Sequence, residues 1–174
     1  YLSTQTAEVT AITSSCGTQD IPGIVASWGT PDGDRTMRVF GKISPNSGTC
    51  TITPTFSSAN VSGWVMISVT EDNVTSYAAT SASSGFGAAP TSTVTANSTD
   101  RILGFVATRS TPTLAAGEDQ ILWTDKVHPT VYIRGALSWQ SGASGGVMTH
   151  VLGSSVGWIA QNVALSSGGG GSGS

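Results

Sequence analysis

Short segments that alternate apolar and polar residues recur along this chain, and turn-forming residues separate them. Ala7–Thr13 and Thr49–Phe56 alternate in this way, and Pro54 in the second segment indicates an edge strand or a bulge. Such segments, spaced by roughly 8 to 12 residues, are typical of an antiparallel sandwich or barrel. No long stretch of the sequence keeps the spacing of an amphipathic helix, so the pattern predicts an all-β chain.

The composition favours the same fold class. Only 10% of the residues are charged, against about 25% in typical domains, while Ser and Thr number 50 and Gly adds 22 in a chain of 174 residues. Charged and long-chain residues build the solvent-facing surfaces of helices, so their scarcity disfavours helices. We expect a single antiparallel β-sandwich, jelly-roll-like and of about ten strands, over residues 1–165.

Turn signals place the remaining elements. Ile21–Trp28 and Thr36–Ile43 flank the segment GTPDGD, in which Asp32 and Gly33 predict a tight hairpin turn. Ser62–Thr70 is rich in apolar residues and predicts a strand in the middle of a sheet. Tyr77–Thr91 contains mainly small and polar residues and predicts a long loop, and the GASGG stretch predicts a hairpin loop. The other expected strands are Ser92–Thr95, Ile102–Thr108, Gln120–Trp123, Thr130–Trp139, Val147–Leu152 and Val156–Leu165.

The cysteines and the C-terminal residues allow predictions about a disulfide, a zinc site and a linker. Cys16 and Cys50 form either a disulfide between two strands or a pair of buried thiols. With only two histidines and no Cys-x-x-Cys spacing, the sequence does not predict a zinc site. Residues 166–174 read SSGGGGSGS, which is a flexible linker of either native or added origin.

The charge distribution argues against two classes of partner. The formal net charge is −3, and the seven basic residues are spread singly along the chain. Nucleic-acid binding needs clustered Lys or Arg, so we expect no nucleic-acid partner. No apolar run approaches the roughly 18 to 20 residues of a membrane span, so we expect no membrane insertion.

Aromatic residues and loops supply the candidate contact residues. Trp28, beside the DGD turn, and Trp139, beside the loop at 140–146, are candidate exposed platforms for a sugar ring or a partner protein. The segments Tyr77–Thr91 and Thr111–Asp119 are the expected contact loops. The further candidates for ligand or partner contact are Asp32, Tyr77, Phe86 and Glu118.

Catalytic and metal chemistry has weaker support. Three acidic pairs at turns and strand ends could ligate calcium: Asp32 and Asp34, Glu71 and Asp72, and Glu118 and Asp119. The simpler interpretation is that Asp32 and Asp34 form a turn and that the other two pairs are solvated charges. His128 precedes Pro129 at a strand boundary and His150 lies in an expected strand, so we interpret both as structural residues. The GASGG stretch lacks the spacing of a nucleophile elbow. We therefore predict no catalytic residue, no metal and no cofactor. A hydrolase is the least favoured alternative, with its carboxylates among Glu71, Asp72, Glu118 and Asp119.

From Thr36 to Leu165 the chain carries a suggestive order of segments. They read FGKI, SGTCTITPTF, GWVMISVTEDNVT, a Ser/Gly/Ala-rich stretch, APTSTVTANSTDRILGFVATRS and SSVGWIAQNVALS. This order resembles a recurrent β-sandwich domain of tailed-phage minor structural and tail-associated proteins, and of some bacterial surface proteins. The first 30 residues depart from that pattern. The resemblance implies a decoration, fibre or tail-tip domain that contacts other virion proteins or a host-surface glycan, and it brings no catalytic residues.

Together these observations predict a non-enzymatic structural or adhesion domain of a virion or extracellular assembly. We expect it in several copies, as a homo-oligomer or packed against other surface-assembly proteins, because exposed strand edges invite strand addition. The alternative is a carbohydrate-binding module or lectin-like receptor-binding domain. That alternative requires an exposed Trp or Tyr with polar neighbours.

Overall fold

The described part of the chain is built from antiparallel β-sheets. The computed structural model describes residues 2–4, 9–17, 21–28, 35–43, 48–57, 65–129 and 132–167, with the backbone alone at 2–4, 21–28 and 35. Within these ranges no helix is long and apolar enough to cross a membrane. The strands are β1 (Leu2–Thr4), β2 (Val9–Ser14), β3 (Ile21–Trp28), β4 (Arg35–Gly41), β5 (Ile52–Phe56), β6 (Val74–Gly87), β7 (Thr91–Thr93), β8 (Arg101–Thr108), β9 (Leu114–Ala116), β10 (Ile121–Val127), β11 (Arg134–Ser141), β12 (Val147–Leu152) and β13 (Val156–Ser167). The all-β antiparallel sandwich expected from the sequence is confirmed.

A five-stranded sheet lies at the centre, in the order β10-β11-β8-β13-β6. Its inner strands β8 and β13 are buried on both faces, so they carry long apolar runs in place of a simple alternation. Smaller sheets cover these two faces. They are β1-β4-β3 and β7-β12-β9, and a two-stranded sheet β2-β5 completes the described strands.

The first face of the central sheet packs against β4. Met37 and Val39 of β4 contact apolar side chains of β8, β11 and β13, which point to this face at alternate positions. Phe105 of β8 joins both clusters and links the two halves of this layer. The burial of these side chains is the main apolar contribution to the stability of the sandwich.

The second face packs against β7 and β12. Ile102 and Ala164 of the central sheet contact Val94 and Met148. Polar side chains also occupy this layer, and Asn162 Nδ2 donates to the Ser92 carbonyl at 2.8 Å. The layer therefore combines apolar packing with a hydrogen bond that joins β7 to the central sheet.

The segment Tyr77–Thr91, expected to be a loop, is mostly strand β6, the longest strand described. Its second-face residues are small because neighbouring groups approach closely. Ser81 Oγ lies 3.0 Å from Ser92 Oγ, and a Cβ on Gly85 would come within 2.9 Å of the Trp158 ring. Alternating Ala, Ser and Gly have no apolar period, so the strand is visible only through its pairing with β13.

The prediction of a buried strand over Ser62–Thr70 is also wrong for residues 65–70, because these residues belong to no strand. Val65 and Ile67 pack against the core, but Met66 and Val69 are exposed. The segment therefore covers an edge of the core without joining a ladder. Residues 62–64 lie outside the described ranges.

Two predicted turns have different outcomes. β3 and β4 pair antiparallel as the hairpin prediction requires, while the turn with Asp32 and Gly33 lies outside the described residues. The GASGG stretch does not close a hairpin, because β11 and β12 belong to different sheets. It forms a short 3-10 helix, Gly142–Ser144, that carries the chain from one layer to the next.

The two cysteines form a disulfide. Cys16 follows β2 and Cys50 precedes β5, and their Cα atoms lie 5.4 Å apart. This distance is within the usual range for a bridge between neighbouring strands. Of the two alternatives left open by the sequence, the structure therefore has the disulfide.

Candidate functional site

A cleft of about 580 Å³ opens at one end of the central sheet. At this end β6 and β8 begin while β11 and β13 finish, because neighbouring strands run antiparallel. Residues 70–74 and 99–101 form one part of its wall, and β10, β11 and β13 supply the rest. The volume is within the roughly 300 to 1,000 Å³ that is usual for small-molecule sites.

Two tryptophans form the aromatic part of this cleft. The ring centroids of Trp123 and Trp139 lie 6.1 Å apart, with the ring planes inclined by 49°. Leu122 pairs with Ser138 and Thr124 pairs with Leu137, so Trp123 is the extra residue of a β-bulge. Trp123 keeps the alternating exposure at the start of β10. It is 39% exposed and lines the cleft beside the half-buried Trp139.

Arg101 and Glu71 form the charged part of the cleft. Arg101 Nη1 donates to Glu71 Oε2 at 2.5 Å, and the Arg101 Cζ lies 4.4 Å from the centroid of the Trp139 ring. The guanidinium is therefore held between a carboxylate and an aromatic face. The Glu71 side chain is only 10% exposed, and its Oε1 is buried with no hydrogen-bond partner among the described residues.

Hydrogen bonds to Asp100 fix the backbone beside Arg101. Asp100 Oδ2 accepts from the Asn97 backbone N–H at 2.7 Å, and Asp100 Oδ1 accepts from Ser166 Oγ at 3.0 Å. These bonds join the turn before β8 to the end of β13. The wall of the cleft is thereby positioned by the sheet and its turns rather than by long loops.

A second polar constellation lies inside the sandwich. His150 is 1% exposed, and its Nε2 lies 2.9 Å from Ser138 Oγ. Ser138 Oγ donates to Gln120 Oε1 at 3.2 Å, so the hydrogen-bond network assigns the imidazole proton to Nε2. Burial lowers the pKa of His150 from 6.5 to about 4. This Ser–His pair is enclosed between β11 and β12.

The structure brings few of the sequence candidates together. Trp139 lines the cleft, and Tyr77 is half-buried against the core. Phe86 is 72% exposed at the far end of β6, and Glu118 is exposed in the turn before β10. The Trp28 side chain and all of Asp32 lie outside the described part of the structure.

The sequence did not predict that Trp123, Arg101 and Glu71 lie beside Trp139 in this cleft. The run Ile121-Leu122-Trp123 breaks the apolar–polar alternation, which is a usable signal of a bulge. No local pattern indicates that Arg101 and Glu71 lie together, because 30 residues separate them along the chain.

Comparison of the chain with protein-family models, with curated proteins and with solved structures finds no match.

Proposed function

We propose that this chain is a non-enzymatic adhesion domain that binds a glycan in the Trp123/Trp139 cleft. The observation that carries the proposal is the pairing of two cleft-lining tryptophans with polar groups around them. A sugar ring presents C–H bonds on its faces and hydroxyls at its rim. The C–H bonds pack on an aromatic face, while the hydroxyls bond to carboxylates, amides and hydroxyls.

The cleft offers both an aromatic surface and hydrogen-bonding groups, as these two requirements demand. Arg101 covers part of Trp139, so Trp123 offers the more open aromatic surface. Asp72, Asn73 and Ser141 line the same cleft and supply hydrogen-bonding groups. Few polar groups arranged around an apolar surface are typical of sites that orient a small ligand.

Two of the carboxylates in the cleft are engaged in contacts that hold its wall, which argues against a catalytic role for them. Glu71 is engaged by Arg101, and Asp100 accepts hydrogen bonds from Asn97 and Ser166 that hold the wall. Glycoside hydrolysis requires two carboxyl groups that face each other across the sugar, one of them poised as an acid. A location on a virion or another extracellular surface, as the resemblance implies, agrees with a glycan-binding role.

A glycan array tests this proposal, with the wild type compared with Trp123→Ala. We expect the wild type to bind one class of glycan and Trp123→Ala to lose about tenfold or more in affinity, ~1.4 kcal/mol. Phe86→Ala is the matched control, because Phe86 is an exposed aromatic outside the cleft. Equal binding by the wild type and Trp123→Ala would show that the cleft is not the site.

A second candidate function is self-assembly through the edge of the central sheet. β6 is the terminal strand of that sheet, extends over 14 residues and contains no charged residue and no proline. Natural edge strands are usually protected by Lys, Pro, bulges or short length. The two bulges of β6 lie before Ala79, so Thr80–Gly87 form a regular ladder with no such protection. In the described part of the chain β6 has one ladder partner, β13, so we propose that a second copy adds a strand there.

Light scattering across a wide concentration range tests this assembly. The wild-type mass should rise with concentration, and Thr80→Lys should keep the protein monomeric because a lysine on the edge strand opposes strand addition. Val151→Lys is the control, since Val151 is exposed on β12 in another sheet. A wild type that stays monomeric at the highest concentration contradicts this second proposal.

A further inference from the structure

The ionisable groups of the cleft are mostly acidic. Among the described residues that line it, Glu71, Asp72 and Asp100 are carboxylates and Arg101 is the one cation, so negative groups exceed positive groups by two. A ligand that carries its own negative charge meets net repulsion in this cleft, and the repulsion is strongest at low ionic strength.

The single cation is already engaged. Arg101 donates to Glu71 Oε2 and lies over the Trp139 ring. The Arg101 side chain is 44% exposed, but the Glu71 carboxylate offsets the charge of its guanidinium and so reduces its attraction for a sugar carboxylate or sulfate. The ion pair with Glu71 therefore weakens Arg101 as a receptor for anions.

The unpaired group in the cleft is an acceptor. Glu71 is nine-tenths buried, and its Oε1 has no donor among the described residues. A buried carboxylate oxygen without a donor leaves negative charge in the wall of the cleft that no local hydrogen bond offsets. Asp72 is exposed at the same cleft and is also an acceptor when ionised.

We infer that the cleft accepts glycans without anionic groups and rejects the sialylated, uronic-acid and sulfated forms of the same glycans. This inference rests on the proposed function and adds the class of ligand to it. Charge complementarity sets the selection, while the tryptophans supply the contact common to all sugar rings.

The experiment uses an array that presents the same oligosaccharide cores in neutral, sialylated and sulfated forms. We expect neutral cores to bind at least about fivefold more tightly than their acidic forms at low salt, with a smaller difference at high salt. Asp72→Lys should narrow the difference, because it replaces an acidic group of the cleft by a basic one. Glu118→Lys makes the same change of charge outside the cleft and should leave the difference unchanged.

The outcomes separate this inference from the proposed function. Acidic forms that bind as tightly as the neutral cores, or more tightly, overturn the inference and leave glycan binding established. A difference that does not respond to Asp72→Lys also overturns it, since the charge of the cleft would then not be its cause. If neither form binds, the proposed function fails, and the inference fails with it.

Discussion

The guanidinium of Arg101 lies over the ring of Trp139, with its Cζ 4.4 Å from the ring centroid, while the same side chain donates to Glu71. Three residues from three parts of the chain are thus held together at the end of the central sheet. Each contact restricts the same guanidinium, so the aromatic wall of the cleft is fixed before any ligand arrives. The contribution of these three residues to the free energy of unfolding can therefore be measured without a ligand.

We predict that Arg101→Ala lowers the free energy of unfolding by about 1 to 2 kcal/mol, because it leaves the Glu71 carboxylate buried without its donor. Glu71→Gln in the same chain should restore part of that loss. Urea denaturation of the two single variants and the double variant gives the coupling energy, expected near 1 kcal/mol. Strictly additive effects would contradict the account of this pair.

The burial of His150 predicts a loss of stability in acid. Its pKa is about 4 in the folded protein and 6.5 without burial, so between these values the unfolded chain binds the proton and the folded chain does not. Stability is therefore complete above about pH 6.5 and declines as the pH falls toward 4, by up to about 3 kcal/mol.

Urea denaturation of the wild type and of His150→Gln across this pH range isolates the contribution of the histidine, because the carboxylates titrate in both proteins. The profile of the variant should be flatter. Parallel profiles for the two proteins would mean that folding does not change the pKa of His150.

The Cys16–Cys50 disulfide predicts a third effect. The bridge joins residues 34 positions apart, and closing a loop of that size in the unfolded chain contributes about 3 to 4 kcal/mol to stability. Replacing both cysteines by serine should lower the free energy of unfolding by that order. Thiol titration of the native protein should find no free thiol, and two reactive thiols at full stability would refute the bridge.

Neighbouring glycines in the connection from β11 to β12 offer a matched comparison. A Cβ on Gly146 would lie 2.1 Å from the Val94 carbonyl oxygen, whereas one on Gly145 would meet no atom within 4 Å. Both residues have positive φ, so both substitutions carry the strain of that conformation. Gly145→Ala should cost about 1 kcal/mol and Gly146→Ala about 3 kcal/mol or more, measured by thermal unfolding. Equal costs would contradict the packing of Gly146 on Val94.

The fold class was predictable because its signals are local. Ile21–Trp28 was predicted with the bounds that β3 has, since turn residues and β-branched residues mark them. β6 was not predictable, because its strand conformation comes from the ladder with β13 and from the close approach of Trp158 to Gly85. In a segment rich in Ser, Ala and Gly, tertiary contacts rather than the local sequence determine the strand conformation.

The candidate site was predictable only in part. Trp139 could be found because a tryptophan beside a loop is a local pattern. Its neighbours could not, because Trp123 reaches the cleft through the pairing of β10 with β11 and Arg101 reaches it through the register of β8 against β11. Both are long-range relationships that no window of sequence contains.

The most direct test of glycan binding follows the indole N–H signals of the tryptophans by NMR while a glycan selected on the array is added. The account predicts that the signals of Trp123 and Trp139 shift together with saturation, while the signal of Trp158, which packs on Gly85 at the other end of β13, stays in place. Shifts confined to tryptophans outside the cleft, or no shift with any arrayed glycan, would contradict it.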